Sequence, residues 1–226
     1  MLKQVWTLCR KELRLWMQRV DHWAVLFVVP MMLISVFQAY IPGFSLTFVF
    51  FLATNLAVAV VDEREVGTLR RLLVTPASRG AILLGKVLPY FLLAIVQFVV
   101  LFSVSNALFD VEMGDAPLAL GMLMVCAAAS VAGLGTMIAA LAKTKGQANT
   151  VPTMVIIAMA IVSGCIAPHI TAPGTKYATP HYWALLGFQN VMVHGMGFSG
   201  VLLPCGVLLA FAAAFFIIGV RRFRFE

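Results

Sequence analysis

The sequence predicts an all-α polytopic membrane protein: six transmembrane helices, an N-terminal amphipathic helix and short outer helices that are interfacial or re-entrant. Three observations carry this. Apolar residues make up 62% of the 226 positions and charged residues 11%, where soluble domains carry about 25% charge. Six apolar runs, at about 23–41, 44–61, 88–109, 117–142, 150–167 and 200–220, are each close to the ~20 residues that cross a bilayer. With the N-terminus inside, 15 of the 16 Lys and Arg fall on the cytoplasmic side and only Lys176 outside, the asymmetry of the positive-inside rule. Both termini are therefore expected in the cytoplasm, and residues 1–226 form a single transmembrane domain. The same asymmetry accounts for the net charge of +7 without a nucleic-acid partner.

Residues 1–22 precede the first span. Leu2, Val5, Trp6, Cys9, Leu13, Trp16, Met17 and Val20 recur at helical spacing on one face, with Lys3, Arg10, Lys11, Arg14 and Gln18 on the other. Such a helix lies in the headgroup plane, either as a plain anchor or with its basic face against a cytoplasmic protein. No cleavable signal is expected, because residues 1–20 are charged throughout. Ile41-Pro42-Gly43 reads as a tight turn between spans one and two, and Asp110 to Pro117 as a short acidic outer loop. In span four, Ala128, Ala132, Thr136 and Ala140 recur every four residues beside Ala129 and Gly133, a stripe that lets a neighbouring backbone come close.

Residues 168–199 form the longest outer segment, yet Pro168, Pro173, Tyr177, Pro180, Tyr182, Trp183 and Phe188 surround a single charge, Lys176. Non-spanning backbone at membrane depth needs protein or a water-filled cavity around it. The segment therefore reads as one or two short interfacial or re-entrant helices with Trp183 and the tyrosines at headgroup level, serving as a lid or as an aromatic belt. Cys9, Cys126, Cys165 and Cys205 show no CxxC or zinc-like spacing and read as packing residues, although Cys165 and Cys205 could both approach the outer face and pair there.

Charge is concentrated in the coupling region, 62–87. Asp62, Glu63, Arg64, Glu65, Arg70, Arg71, Arg79 and Lys86 are eight of the chain's 25 charged residues. Val66, Leu69, Leu72 and Leu73 share a helical face, Arg64, Arg70 and Arg71 lie away from its apolar centre, and Pro76 ends the helix. A short helix there either transmits a push from a cytoplasmic protein into spans two and three or is a charged loop held at the headgroups. Gly80 to Val87 matches the phosphate-loop pattern GxxxxGK, but Val87 replaces the magnesium-binding hydroxyl and the pattern runs straight into a span, so no nucleotide site is assigned.

His22, His169, His181 and His194 show no zinc-protease spacing. The last three share the outer segment and read as interfacial polar residues or as a loose metal or proton site; no metal site is assigned. No nucleophile-elbow arrangement is visible. The spans carry no Asp, Glu, Lys or Arg in their middles, where ion-coupled carriers usually place ionisable groups. Of the polar span residues Gln38, Asn55, Gln97, Asn106 and Ser163, the candidates for lining a path are Asn55, Gln97 and Ser163; bonding between helices is the other reading.

Glu63-Arg64-Glu65-Val66-Gly67-Thr68-Leu69-Arg70-Arg71-Leu72-Leu73-Val74-Thr75-Pro76, with Gly85-Lys86 entering the next span, resembles the signature of type-2 ABC transporter permeases, the membrane subunits of exporters. The likeness extends over nearly the whole chain. Ile41-Pro42-Gly43, Gly133-Leu134-Gly135 with Ala142-Lys143-Thr144, Ser163-Gly164, Pro168, Pro180-His181-Tyr182-Trp183-Ala184-Leu185 and Gly219-Val220-Arg221-Arg222-Phe223 resemble the family's landmarks in order.

The resemblance implies a connecting helix at about 2–20, a coupling helix at about 63–76 and short outer helices before span six. It implies that Glu63, Glu65, Gly67, Thr68, Leu69, Arg70, Arg71, Leu72 and Pro76 couple to an ATPase, with Arg10, Lys11 and Arg14 beside them. It further implies pairing with a second copy or a similar permease, and separate ATPase subunits that carry ATP and magnesium, this chain binding no cofactor and catalysing no reaction. The chain differs from larger relatives in having no outer domain between spans one and two. The expected function is outward movement of an amphipathic drug, lipid or similar substrate across the cytoplasmic (inner) membrane. A non-transporting membrane factor using the same ATPase contact is the alternative, and an ATP-independent secondary carrier a third reading.

Overall fold

The computed structural model describes residues 2–18, 24–36, 41–74, 77–166 and 174–223, and every regular element among them is helical. Helix α1 (Leu2–Met17) precedes a π-helical turn (Ala24–Val28) and α2 (Val29–Val36). Then come α3 (Ile41–Glu65), α4 (Thr68–Leu73), α5 (Arg79–Phe109), α6 (Pro117–Leu141) and α7 (Lys145–Val162). A 3-10 turn (Thr175–Ala178), α8 (Pro180–Met192) and α9 (Phe198–Arg222) complete the order. Arg19, His22, Gln38, Thr75, Pro76, Pro168, His169 and Pro173 lie outside the described residues.

Among the described residues four helices, α3, α5, α6 and α9, are long and apolar enough to cross a bilayer. Of the expected first span, residues 24–36 are described, and there the π-helical turn runs directly into the eight-residue helix. Pro30 has no N–H for the carbonyl four residues back, that of Leu26. Gln97 of α5 supplies one instead, its Nε2 donating to the Leu26 carbonyl at 2.9 Å from a fully buried position. Replacing Gln97 with Met, of similar volume, is expected to cost about 1–2 kcal/mol by leaving that carbonyl unpaired, read as a lower thermal midpoint in detergent.

The expected fifth span is α7, which begins early because Thr144 caps it: its Oγ1 accepts the N–H of Gln147 at 3.2 Å. Its 18 residues therefore open on the polar stretch Lys145 to Thr150, which keeps it below the apolarity of the other four. Two boundaries also move. Ile41-Pro42-Gly43 is the first turn of α3 and not a connection between spans, since proline is tolerated where no N–H is required. Helix α5 starts at Arg79, ahead of residue 88, because Ser78 Oγ accepts the N–H of Ala81 at 3.2 Å.

Helix α6 is the hub. A Cβ on Gly133 would lie 2.7 Å from the Ala212 carbonyl oxygen of α9, and one on Gly135 would lie 2.9 Å from the Ala53 carbonyl oxygen of α3. Small residues thus let two backbones close on α6 from different sides. Helices α3, α6 and α9 run one way. Helix α7 is antiparallel to α3, because Lys145 meets Asp62 at one end and the backbone of Cys165 meets Gly43 at the other. One end of the bundle therefore collects α1, the charged island and the Lys143–Lys145 turn; the other collects the Asp110–Asp115 loop and α8.

Helix α8 is inserted into the bundle. His181 stacks on Phe50 at 3.9 Å and Phe188 on Phe102 at 4.9 Å. Phe50 lies about 13 Å along α3 from Ile41, so the first turn of α8 reaches well below the end of that helix.

Candidate functional site

The charged island, expected as one helix over 63–76, is two pieces. Glu63, Arg64 and Glu65 are the last turn of α3. Val66 and Gly67 then turn the chain, Gly67 at φ 79°, a conformation that side chains other than those of Gly, Asn and Asp rarely adopt. The six residues of α4 follow. That turn resets the helical phase: Leu69 is 1% exposed whereas Val66 is 69% exposed, so Val66 leaves the apolar face that spacing alone assigned to it. Arg71 is exposed, and Thr68 and Leu72 are half-buried.

Behind α4, three helices meet at one buried cation. Lys86 of α5 is 2% exposed. Its Nζ lies 2.5 Å from Glu12 Oε1 of α1 and also pairs with Glu63 Oε2 of α3. Lys11 Nζ approaches the other oxygen of Glu63 at 3.8 Å. Gly85 makes the approach of α1 possible, since a Cβ there would lie 2.6 Å from Leu8 Cβ. The phosphate-loop-like pattern is helical throughout: its second glycine seats α1 and its lysine pairs with two carboxylates.

Glu12 escaped the sequence reading. It is the single carboxylate of α1 and shares the buried face with Cys9 and Trp16, positions three before and four after it. That spacing was a usable signal; its partner, 74 residues away, was not. Burial pushes the Cys9 thiol up, and the Glu12 carboxylate adds to the shift.

A second network ties the island to the turn between α6 and α7. Asp62 Oδ1 pairs with Lys145 Nζ at 2.7 Å, Glu65 Oε1 accepts the N–H of Lys145 at 2.9 Å, and Arg64 donates to the carbonyl of Ala142. A carboxylate thus sits at the N-terminus of α7 and a guanidinium at the C-terminus of α6, as the helix dipoles favour. Glu63 and Glu65 turn their carboxylates onto the chain's own helices, while Arg71 of α4 and Arg10 and Arg14 of α1 are exposed; Lys11 is exposed too, but its ammonium leans towards Glu63.

Asn55 lines a cleft of about 460 Å³ with Glu12, Trp16, Tyr90, Glu63 and Lys145. Gln97 and Ser163 do not open onto it. Gln97 holds the Leu26 carbonyl, and Ser163 Oγ lies 3.0 Å from the Ala160 carbonyl and 3.2 Å from Cys165 Sγ.

Of the loose histidine site, His181 and His194, the two described members, do not come together. His181 opens α8 and His194 follows its end, about 20 Å away by helical rise. His181 is fully buried with neither nitrogen hydrogen-bonded among the described residues, and burial holds its imidazole down at about 3, so it stays neutral. The four cysteines are free, and Cys205 neighbours Cys126, not Cys165.

Residues 30–221 match the model of the family described as ABC-2 family transporter protein. The chain is 32% identical over 186 residues to the linearmycin resistance permease protein LnrN of Bacillus subtilis (strain 168), covering 80% of this chain and 48% of that protein. It is 28% identical over 117 residues to the probable multidrug ABC transporter permease YbhR of Escherichia coli (strain K12), covering 52% of this chain and 31% of that protein. The chain thus spans half or less of the length of these curated relatives. Apolar helices packed through close glycine contacts, and a family match over most of the sequence, lead to one assignment: this multi-pass membrane protein belongs to the ABC-2 transporter family as a permease.

Proposed function

We propose that the chain is the membrane subunit of an ATP-driven exporter in the cytoplasmic (inner) membrane, moving an amphipathic drug, lipid or similar substrate outward. In this reading residues 1–226 form one transmembrane domain of six spans with both termini inside, paired with a second copy or a similar permease. Two ATPase subunits carrying ATP and magnesium dock on the outward surface of α4 and the basic face of α1. Arg71, Thr68 and Leu72 are the contact candidates on α4, and Arg10, Lys11 and Arg14 those on α1. Arg70 and Pro76 remain part of that surface by the family signature, while Glu63 and Glu65 carry the push inward and Gly67 and Leu69 set the angle of α4.

The observation that carries this reading is the Lys86 node. A displacement applied to α1 reaches the ends of α3 and α5 together, because Lys86 of α5 binds carboxylates from both α1 and α3, and α4 follows α3 after the two-residue turn Val66–Gly67. A buried, close-packed junction transmits movement without absorbing it. The other support is energetic: apart from Lys86, the Asp, Glu, Lys and Arg side chains on α3, α5, α6 and α9 stand at or beside helix ends, whereas ion-coupled carriers usually place such groups in the middle of their spans.

The test is co-expression with the partner ATPase that this reading requires. Charge reversal at the exposed surface, Arg71→Glu with Arg10→Glu, is expected to reduce co-purification of that ATPase by roughly tenfold while the variant elutes as a folded protein. Equal recovery and equal ATP hydrolysis would remove the docking assignment. ATPase binding without substrate movement in proteoliposomes would instead identify a non-transporting membrane factor.

A further inference from the structure

At the end of the bundle opposite the charged island, Tyr177, Tyr182 and Trp183 form a box of aromatic rings. Tyr177 and Tyr182 stand 4.9 Å apart at 77°, and Tyr182 and Trp183 5.6 Å apart at 81°. Tyr177 and Trp183 close the set at 6.2 Å and 52°. Rings set edge to face leave part of their π-faces open. Lys176 lies over two of these faces, its Nζ 5.3 Å from the Tyr177 centroid and 5.0 Å from that of Tyr182, with Trp183 packed beside both rings.

The box is built and accessible. Trp183 Nε1 donates to the Tyr177 carbonyl at 2.8 Å, the Thr179 hydroxyl to the Lys176 carbonyl at 2.8 Å, and the N–H of Tyr182 to Thr179 Oγ1 at 3.4 Å. These bonds lock the 3-10 turn onto the first turn of α8, fixing the rings before any ligand arrives. Tyr177 is 50% exposed, and Tyr182 and Trp183 are half-buried.

An ammonium within about 6 Å of a ring centroid is held by the ring's quadrupole. Here the ammonium is the chain's own, and among the described residues no carboxylate pairs with it. Displacing Lys176 therefore breaks no ion pair and leaves its charge free to hydrate. Asp110, Glu112 and Asp115 lie at the same end of the bundle, a balance of charge that draws cations towards it.

We propose that Tyr177, Tyr182 and Trp183 form a binding site for alkylammonium groups, in which Lys176 is a tethered resident cation that the ligand displaces. The ammonium of a soluble organic cation and the headgroup of a membrane lipid share this chemistry. The inference does not depend on the transport reading.

Trp183 provides the readout. In purified full-length protein at constant ionic strength, tetramethylammonium chloride is expected to produce a saturable change in tryptophan fluorescence that Trp183→Phe abolishes. Lys176→Gln, which empties the box, should tighten binding about three- to tenfold, and Tyr182→Ala should weaken it by a similar factor. Choline should compete, whereas its neutral isostere 3,3-dimethylbutan-1-ol should not.

Weaker apparent binding in phosphatidylcholine nanodiscs than in nanodiscs of digalactosyldiacylglycerol, which is also uncharged overall but carries no ammonium, identifies the lipid headgroup as a ligand. Equal binding in both identifies the soluble cation alone. The assignment is overturned if the neutral isostere competes as well as choline, or if neither wild type nor Lys176→Gln gives a saturable change.

Discussion

Replacing Lys86 with Met is expected to destabilise the protein by about 3–5 kcal/mol, the usual cost of removing one partner from a buried ion pair. The ammonium is 2% exposed and serves Glu12 and Glu63 together. Without it two carboxylates face each other with only Lys11, 3.8 Å from Glu63, as a nearby cation, and their repulsion pushes α1 away from α3. Thermal unfolding in detergent reads the loss. Maleimide labelling of Cys9, buried in α1 beside Glu12, should rise in parallel because α1 detaches first. A variant as stable as wild type, with Cys9 still protected, would show that the node does not hold the three helices.

The triple variant Glu12→Gln, Lys86→Met, Glu63→Gln separates assembly from signalling. Removing all three charges at once costs far less than removing one, because the pair's attraction roughly offsets its own desolvation. The triple variant should therefore fold close to wild type while losing the stiff electrostatic tie between α1, α3 and α5. If the node carries the coupling proposed above, ATP hydrolysis by the docked ATPase should persist and substrate movement should fall. The membrane half would then be present but disconnected.

What the sequence made legible follows from the range of the interactions concerned. The basic face of α1, the small-residue stripe of α6 and the short helices before α9 each rest on local periodicity or composition. The Lys86 node joins residues far apart in the chain, and Glu12 looked like one more polar residue among Lys11 and Arg14 until its buried neighbours Cys9 and Trp16 were in place. Gln97 read as a path residue or, more readily, as a helix-to-helix bond; the missing N–H of Pro30 shows what it bonds, but only once α5 lies beside Leu26. Within the island, period counting carried Val66 into the helix after it, because a left-handed glycine changes helical phase without altering spacing in the sequence.

Replacing Gly43 with Val should part α3 from α7, at a cost of about 2–3 kcal/mol or more for an overpacked contact. A Cβ at Gly43 would overlap the carbonyl oxygen of Cys165 and lie 2.8 Å from both its Cα and its carbonyl carbon. All three are backbone atoms, so no side-chain rotation relieves the contact. The backbone there cannot easily yield, since Gly164 at φ 82° closes the end of α7, with the N–H of Cys165 bonded to the Ala160 carbonyl at 2.9 Å. The predicted readout is maleimide labelling of Cys165, a buried thiol, in a chain where it is the only cysteine, with a rate at least about tenfold above that of the parent as the local contact opens. Gly121→Ala is the matched control, because a Cβ at Gly121 meets nothing within 4 Å. If Gly43→Val protects Cys165 as well as Gly121→Ala does, the close approach of α3 to the end of α7 is not what requires glycine at this position. Faster labelling with α1 still seated, as reported by Cys9 in a separate single-cysteine chain, would locate the opening at the end of the bundle opposite the charged island.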